Sequence, residues 1–476
     1  MPVFLCLPID FSLGGGVQLI YPMCGTQTSY KKMKAKKLLV VLCAAVMCLS
    51  LGILGACSHE HDWSAWKVTT AATCTEKGVE TRTCDCGETE TRDIAALGHD
   101  WGAWTLSADG SAYTRACKRD KCTATESKAA GSAEEYPLVV SGADALADAI
   151  EKGGYIKLSA DVTLTASELN AALAANRTAP EGEENFTPAA ISIDLGGKTL
   201  TVSAEASASI EIIDGQSLTI KNGTFKAENI LTASAQSHFA IESGAVMTLN
   251  NVTATGNAVF FYPKGDATAV NIIDSKVTTG TFVVSSNAAT VENYGVVINI
   301  ENSTLVSETA AAVLINVAGT LNISDSDITG VDQGVVVRAG TAVLDNVNVT
   351  AVYNDANLQA NVKDCMINPS SWKDGNWLAG GALVVGDISA TAYNASAIVT
   401  VNGGSYKSVA AEGSTQVDPF LASIYAVQLN GGDGEDAYTS EITLTGDVEL
   451  ANRVINWNDT AEITGLDDSV TVLGKW

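Results

Sequence analysis

Short segments in which apolar and polar residues alternate recur along the C-terminal part of this chain. Each begins apolar, any, apolar, any, continues with Asn, Asp or Gly and two free positions, and usually ends apolar. Because side chains of a strand point alternately to its two faces, the pattern predicts strands with the first and third positions inward. The segments are Leu218–Phe225, Met247–Ala254, Val270–Val277, Ile298–Leu305, Leu321–Ile328, Ala342–Val349 and Val399–Tyr406.

The spacing of these segments predicts a solenoid. Successive segments start 29, 23, 28, 23, 21 and 57 residues apart, and intervals just above 20 residues are typical of one coil of a β-solenoid. The longest interval is close to two coils, so an insertion masks one repeat there. A single coil cannot bury its apolar faces, and stacking buries them and pairs the strands in parallel.

The fifth position of the template predicts a corner. Asn, Asp and Gly tolerate the left-handed backbone best, so the chain can bend there and return the eighth position inward. In "LNISDSDI" the first Asp therefore belongs to the turn rather than to a catalytic pair, and Asp327 is expected at the surface. The predicted turn ladder is Asn222, Asn251, Asp274, Asn302, Asp325, Asn346 and Gly403.

The two ends of the repetitive region fit the same architecture. Strand-like segments occur at 153–165 and 441–450, and Ala145, Leu146, Ala149 and Ile150 have helical spacing, which predicts a short helix that caps the open end. Residues 136–476 resemble the right-handed parallel β-helix of the pectin-lyase-like superfamily. The resemblance implies an all-β fold; that fold hosts lyases, hydrolases, adhesins and inert stalks, so it leaves function open.

Candidate chemistry in the predicted solenoid is sparse. The N-T-D, paired-Asp, G-H-G and R-I-K segments of polygalacturonase-type enzymes are absent from the sequence. Arg338 is the only arginine between Arg177 and Arg453. No catalytic residue is assigned. An irregular excursion at 352–381 carries Trp372 and Trp377, which could stack on sugars, anchor a protein partner or pin the loop to the solenoid.

Charge and composition limit the classes of molecule that the chain can bind. The net charge is −26; residues 136–476 contribute −25, with 14 Lys and Arg against 39 Asp and Glu. Such a body repels nucleic acid, and a polyuronate would need bound calcium, which makes Ca²⁺ a candidate cofactor on the β-helix. Aromatic residues form only 6% of the chain, which fits a narrow interior of small side chains.

The N-terminal region predicts export. A basic cluster at 33–37 precedes an uncharged apolar run at 38–56, as in an export signal. Leu54-Gly55-Ala56-Cys57 resembles the lipobox of bacterial lipoproteins, which implies a signal peptide at 33–56, lipidation of Cys57 and a tether at 57–60. The alternative is an uncleaved membrane anchor. Both place the protein at the outer face of a bacterial membrane, and residues 1–32 are interpreted as a start-site artefact.

Residues 61–135 contain a second, smaller repeat. "HDWSAW" at His61–Trp66 returns as "HDWGAW" at His99–Trp104, 38 residues later, which marks two copies of one unit. The pattern resembles a Cys/Trp module of exported bacterial surface proteins. The tryptophans Trp63, Trp66, Trp101 and Trp104 form either its small core or a sugar-stacking surface.

So small a unit needs a covalent or metal staple. Cys74, Cys84, Cys86 and His99 would make a Cys₃His zinc set, although the single residue between Cys84 and Cys86 is tighter than the usual spacing. Disulfides, which an exported protein permits, and free thiols are the alternatives.

Two functions agree with these features. The first is a non-catalytic, membrane-anchored surface protein whose solenoid presents a face for adhesion or for glycan or protein recognition. The second is a polysaccharide lyase or glycoside hydrolase on the same fold.

Overall fold

The fold is taken from a computed structural model that describes most of the chain. The described residues are 5–13, 17–25, 60–183, 186–203, 208–228, 237–265, 268–286, 295–353, 381–386, 396–413, 421–427, 438–456 and 461–473. The chain divides into two compact units, residues 1–99 and 100–476.

The predicted export segment and Cys57 lie outside the described residues. Within the part that the structure describes, no helix has the length and apolar character needed to cross a bilayer.

In the residues of the N-terminal unit that the structure describes, all strand pairs are antiparallel. A hairpin pairs the first two strands, and a separate three-stranded sheet carries the first Cys/Trp copy. The strands are β1 (Leu5–Leu13), β2 (Val17–Gly25), β3 (Lys67–Thr70), β4 (Gly78–Thr83) and β5 (Thr89–Ile94).

The second Cys/Trp copy repeats this sheet within the C-terminal unit, as β6 (Thr105–Leu106), β7 (Ala112–Ala116) and β8 (Thr125–Ala129). It contacts the start of the solenoid directly. The Tyr113 hydroxyl donates a hydrogen bond to the Pro137 carbonyl at 3.1 Å, and the Trp104 and Tyr136 rings meet edge to face at 5.2 Å. These contacts explain why the structural division falls at residue 99 and not at 135, where the sequence repeat ends.

Two helices stand at the N-terminal end of the solenoid. After β9 (Leu138–Val140), α1 spans Ala143–Lys152 and buries Leu146, Ala149 and Ile150, at the positions that the sequence pattern predicts. A second helix, α2 (Ala166–Asn176), was not predicted. It starts with a capping box in which the Thr165 hydroxyl accepts a hydrogen bond from the Glu168 N–H and the Glu168 carboxylate accepts one from the Thr165 N–H.

The body is an all-β parallel β-helix. One parallel ladder runs through β10 (Gly154–Leu158), β12 (Ile191–Asp194), β15 (Ser217–Ala227), β17 (Val246–Thr255), β19 (Ala269–Ile273), β22 (Val297–Glu301), β25 (Thr320–Ser324), β28 (Gly340–Asp345), β31 (Ala397–Ala410), β33 (Ser440–Leu450) and β35 (Glu462–Thr464).

A second ladder follows the corner of each coil. It uses the later halves of β15, β17, β31 and β33 together with β11 (Val162–Leu164), β13 (Thr199–Val202), β20 (Lys276–Thr279), β23 (Thr304–Ser307), β26 (Asp327–Val331) and β29 (Asn348–Tyr353).

A third parallel sheet closes the coils and is buried on both faces along several strands. It consists of β14 (Ile210–Ile212), β16 (Ser237–Ile241), β18 (Val259–Pro263), β21 (Val284–Ser285), β24 (Val313–Ile315), β27 (Gln333–Val337), β30 (Gly381–Val385), β32 (Ala422–Ala426), β34 (Arg453–Asn456) and β36 (Val472–Leu473). All five residues of β16, β30 and β32 are buried. Several of its strands therefore lack the alternation of apolar and polar residues, as in Gly381–Val385.

The corner positions have the backbone that the template requires. All seven turn-ladder residues have positive φ, from 45° at Asn302 to 79° at Gly403. The positions on either side point inward: Leu321 and Ile323 are 0% and 1% exposed, and the eighth-position Ile328 is 1% exposed. These side chains belong to one apolar core that extends along the whole solenoid.

The sixth template position is not free, contrary to the sequence interpretation. Ser275, Ser303 and Ser326 occupy it in adjacent coils and are buried. The Ser275 N–H donates to Ser303 Oγ, and the Ser303 N–H donates to Ser326 Oγ, each at 3.0 Å. A buried polar atom is costly without a partner, so this serine ladder satisfies backbone groups that the corner takes out of the sheets.

Candidate metal centre

Cys84 and Cys86 lie in the tight turn that joins β4 to β5. The Cys84 N–H donates to the Glu88 carbonyl and the Gly87 N–H donates to the Cys84 carbonyl, both at 2.8 Å. Gly87 has a φ of 92°, which only glycine adopts without strain. The turn thus holds both thiols on a short, hydrogen-bonded loop, with Cys84 buried and Cys86 exposed.

The segment before β3 brings His61 to this turn. Trp63 forms an isolated antiparallel bridge with Cys84, and the Ser64 N–H donates to the Thr83 carbonyl at 2.9 Å. His61 stacks on Trp63, with ring centroids 5.2 Å apart. As a result, His61 Nδ1 lies 3.4 Å from Cys86 Sγ, and the ligand atoms of His61, Cys84 and Cys86 all lie within 4.8 Å of one another.

The two thiols differ in acidity. The pKa of Cys84 is lowered to about 7, first because the Cys86 thiol donates a hydrogen bond to it, then because of the Cys86 backbone N–H, with a smaller contribution from His61. The same thiol contact raises the pKa of Cys86. The thiolate is the form that binds metals, so Cys84 is the more easily ionised ligand of the pair.

A carboxylate faces the other nitrogen of the imidazole. His61 Nε2 lies 3.6 Å from Glu88 Oε2, and the His61 side chain is 33% exposed. Histidines that bind a metal through one ring nitrogen usually present the other to a carboxylate or carbonyl, which fixes the tautomer and the ring orientation. Glu88 is therefore suited to orient Nδ1 toward the thiols.

Arginine side chains pack against Trp63 and Trp66, the two tryptophans of the first copy that recur in the second. The Arg82 guanidinium carbon lies 4.8 Å from the Trp63 ring centroid and 4.7 Å from that of Trp66, and Arg92 lies 4.3 Å from the latter. Arg82 also donates to Glu90 at 2.6 Å. These half-buried rings form a small stacked cluster with the arginines, which favours the structural interpretation of the tryptophans over a free sugar-stacking surface.

The structure divides the four residues of the predicted zinc set between two places. Cys84 and Cys86 meet His61, which the sequence analysis did not include, whereas the ligand atoms of Cys74 and His99 come within 4.8 Å of each other elsewhere in the N-terminal unit. The Gly98 N–H donates to the Cys74 carbonyl at 3.0 Å and brings the second pair together. The sequence did contain a signal for His61, because the "HDW" motif that begins at His61 recurs at His99, which the predicted zinc set included.

The second Cys/Trp copy keeps part of this arrangement in its own unit. Trp101 forms an antiparallel bridge with Cys117, as Trp63 does with Cys84. The ligand atoms of Cys117 and Cys122 lie within 4.8 Å of each other.

On the solenoid, the turn ladder is also a ladder of side-chain hydrogen bonds. Asn302 Nδ2 donates to Asp274 Oδ1 at 2.6 Å, and Asn346 Nδ2 donates to Asp325 Oδ1 at 2.7 Å. A parallel amide ladder follows the outer side of the first sheet, where Asn322 donates to Asn299. Both carboxylates of the turn ladder, Asp274 and Asp325, therefore accept a hydrogen bond from an asparagine of the next coil.

These groups do not form a carboxylate cluster. In the described ranges of the solenoid, no three Asp, Glu, His or Cys side chains bring their ligand atoms within 4.8 Å of one another. A shallow polar cleft of about 240 Å³ is lined by Asn251, Val252, Thr253, Asp274, Ser275, Lys276, Asn302 and Thr304. It is smaller than the roughly 300–1,000 Å³ of typical small-molecule sites.

His238, which the sequence places in a polar segment, is fully buried in β16. Its Nε2 accepts hydrogen bonds from the N–H groups of Asn257 at 3.0 Å and Ala258 at 3.3 Å. Burial lowers its pKa to about 4, so the imidazole is neutral and serves as an acceptor inside the wall of the solenoid.

Trp372 and Trp377 lie outside the described residues. Comparisons with models of protein families, with curated proteins and with solved structures found no match to this chain.

Proposed function

We propose that this chain is a non-catalytic surface protein, anchored in a bacterial membrane through lipid on Cys57, whose solenoid presents a face for glycan or protein recognition. The observation that carries the proposal is the regular array of exposed amide and carboxylate groups along adjacent coils. Neighbouring parallel strands lie about 4.8 Å apart, so the array offers hydrogen-bonding groups at a fixed interval.

The surroundings of the array favour ligand binding over catalysis. The cleft at Lys276 is shallow, and general acid–base chemistry needs groups held together around a substrate. In the described part of the solenoid, Asp274 and Asp325 instead lie at corners of separate coils and Asp327 lies beside one, and an asparagine side chain donates a hydrogen bond to each of them.

Binding of the full chain in detergent to a glycan array, and to surface proteins of neighbouring bacteria, tests the proposal. Lys276→Glu reverses a charge in the cleft and is expected to weaken binding at least several-fold. Lys407→Glu, at an exposed position of β31, changes the net charge equally and should leave binding unchanged. Unsaturated products formed from pectate with calcium would instead support the lyase alternative.

The lipid anchor is tested separately by labelling cells with a radioactive fatty acid. Label is expected on the wild-type chain and absent from Cys57→Ser, which should also be released from the membrane fraction. A labelled Cys57→Ser chain would contradict the assignment.

Zinc in the module of residues 61–99 is part of the proposal. Thiolate and imidazole are ligands that zinc prefers, and this module brings both kinds together in two places. Metal analysis of the full chain purified without chelator is expected to find zinc; a metal-free chain with blocked thiols would favour disulfides.

A further inference from the structure

The geometry points to a three-ligand zinc site made by His61 Nδ1, Cys84 Sγ and Cys86 Sγ, with its fourth coordination position open to a ligand from solution. This assignment rests on the proposed zinc content of the module and adds which atoms bind the ion and what else it can bind. It replaces the set read from sequence, because Cys74 and His99 do not share the turn that holds Cys84 and Cys86.

The distances fit zinc coordination. With Zn–S bonds of about 2.3 Å and Zn–N bonds of about 2.0 Å, a tetrahedral site separates sulfur from nitrogen by about 3.5 Å. The observed separation of Cys86 Sγ and His61 Nδ1 is 3.4 Å. All three ligand atoms lie within 4.8 Å of one another, so small side-chain rotations complete the set.

The local backbone keeps the three ligands in place. The turn at 84–88 is closed by two backbone hydrogen bonds of 2.8 Å, and the 2.9 Å bond from Ser64 to Thr83 ties the His61 segment to the same strand. Glu88 faces the second imidazole nitrogen at 3.6 Å and acts as a positioning residue.

Among the described residues no further Cys, His, Asp or Glu joins this cluster, so these residues supply three ligands, and the inference gives the fourth position to a donor from solution. Structural zinc sites are almost always closed by four protein ligands, whereas sites with three protein ligands keep a place for water or another molecule. Cys86 is exposed and His61 is one third exposed, so a donor from solution can reach the ion. Such a position takes small thiols or imidazoles, or the Cys or His side chain of a partner protein.

The test uses the full chain in detergent, with Co²⁺ exchanged for zinc. We expect thiolate-to-cobalt charge-transfer absorption and visible ligand-field bands that shift when imidazole or 2-mercaptoethanol is added, because the added donor enters the open position. Bands that do not respond to either donor would show a closed site and overturn the inference.

Variants identify the ligands. His61→Gly and Cys86→Ser are each expected to remove one metal ion per chain, and added imidazole should restore the cobalt bands of His61→Gly, which separates lost coordination from misfolding. The matched control Cys74→Ser should keep the donor-sensitive bands. If wild type binds no metal, the zinc proposal itself fails; if metal is bound but is unaffected in both variants, only this assignment fails.

Discussion

The Cys/Trp module at residues 60–99 and the solenoid are stabilised in different ways. Among the described residues 60–99, Cys84 is the only buried apolar side chain; the module depends on hairpin hydrogen bonds, stacked arginines and its thiol–imidazole groups. The solenoid instead has one continuous core that passes through every coil. A small sheet cannot bury enough apolar area to offset its conformational entropy, and the proposed zinc would supply stability that packing does not.

The largest difference between the two regions should appear on metal removal. If the proposed zinc is bound, a strong chelator under reducing conditions is expected to unfold residues 60–99, since metal binding adds to the folding free energy of so small a unit, and to leave the solenoid intact. Hydrogen exchange followed by peptide mass spectrometry distinguishes the regions. Equal protection of peptides from 60–99 before and after chelation would show that packing and hairpin bonds suffice.

Truncation of a core side chain should destabilise the solenoid and not the module at residues 60–99. Phe239 is fully buried and contacts the rings of Phe225, Phe260 and Phe261. Phe239→Ala is expected to lower the free energy of unfolding of the solenoid by about 3–5 kcal/mol, from lost burial and the cavity that remains.

Chemical denaturation of the full chain measures this loss. Val343→Ala, at a position 39% exposed, serves as control and should change the free energy by no more than about 0.5 kcal/mol. A comparable loss of unfolding free energy in both variants would mean that the aromatic cluster does not stabilise the solenoid more than an exposed side chain does.

Acid should weaken the solenoid through His238. Its pKa is about 4 in the folded chain against an ordinary 6.5, so the unfolded chain takes up a proton between these values that the folded chain does not. Stability from this group is therefore complete above pH 6.5 and is lost as the pH falls toward 4, by roughly 3 kcal/mol in all.

Denaturation at several pH values, compared with His238→Gln, isolates this effect because both chains share the same carboxylates. The wild type should lose more stability than the variant across that window. Parallel pH profiles would indicate that His238 is protonated without cost.

The smallest expected effect concerns a single corner. Asn302 has a φ of 45° and donates to Asp274. Asn302→Ala should cost about 1–2 kcal/mol because a Cβ without a local hydrogen bond disfavours the left-handed backbone. Asn302→Gly removes the side-chain hydrogen bond but relieves the backbone, so thermal denaturation should show that it is less destabilising than Asn302→Ala. If Asn302→Gly were the more destabilising variant, the hydrogen bonds of the amide ladder, and not the backbone conformation, would determine the stability of this corner.

Much of the solenoid was accessible from the sequence because its signals are local. Alternation at Leu321 and Ile323, the corner at Asp325 and the helix at Leu146 each follow from a few neighbouring residues. The helix at 166–176 carried a signal as well, Thr165 with Glu168, and its buried residues Ala166, Leu169, Ala172 and Leu173 lie on one face. Further alanines on its other faces hide this stripe in the sequence.

Other features required the fold. Strands β16, β30 and β32 of the third sheet show no alternation because both of their faces are buried, and the serine ladder joins residues 23 and 28 positions apart. His238 lies in a polar segment of the sequence, and only the packing of β16 shows it to be internal.

The sequence by itself determined that the chain coils into parallel strands, where each coil turns, and that cysteines and tryptophans recur before the solenoid. The tertiary structure decided which cysteines meet. Cys84 and Cys86 are neighbours in sequence, but their partner His61 reaches them through a bridge between Trp63 and Cys84. Spacing along the chain limits which ligands can be close, and strand pairing selects among them.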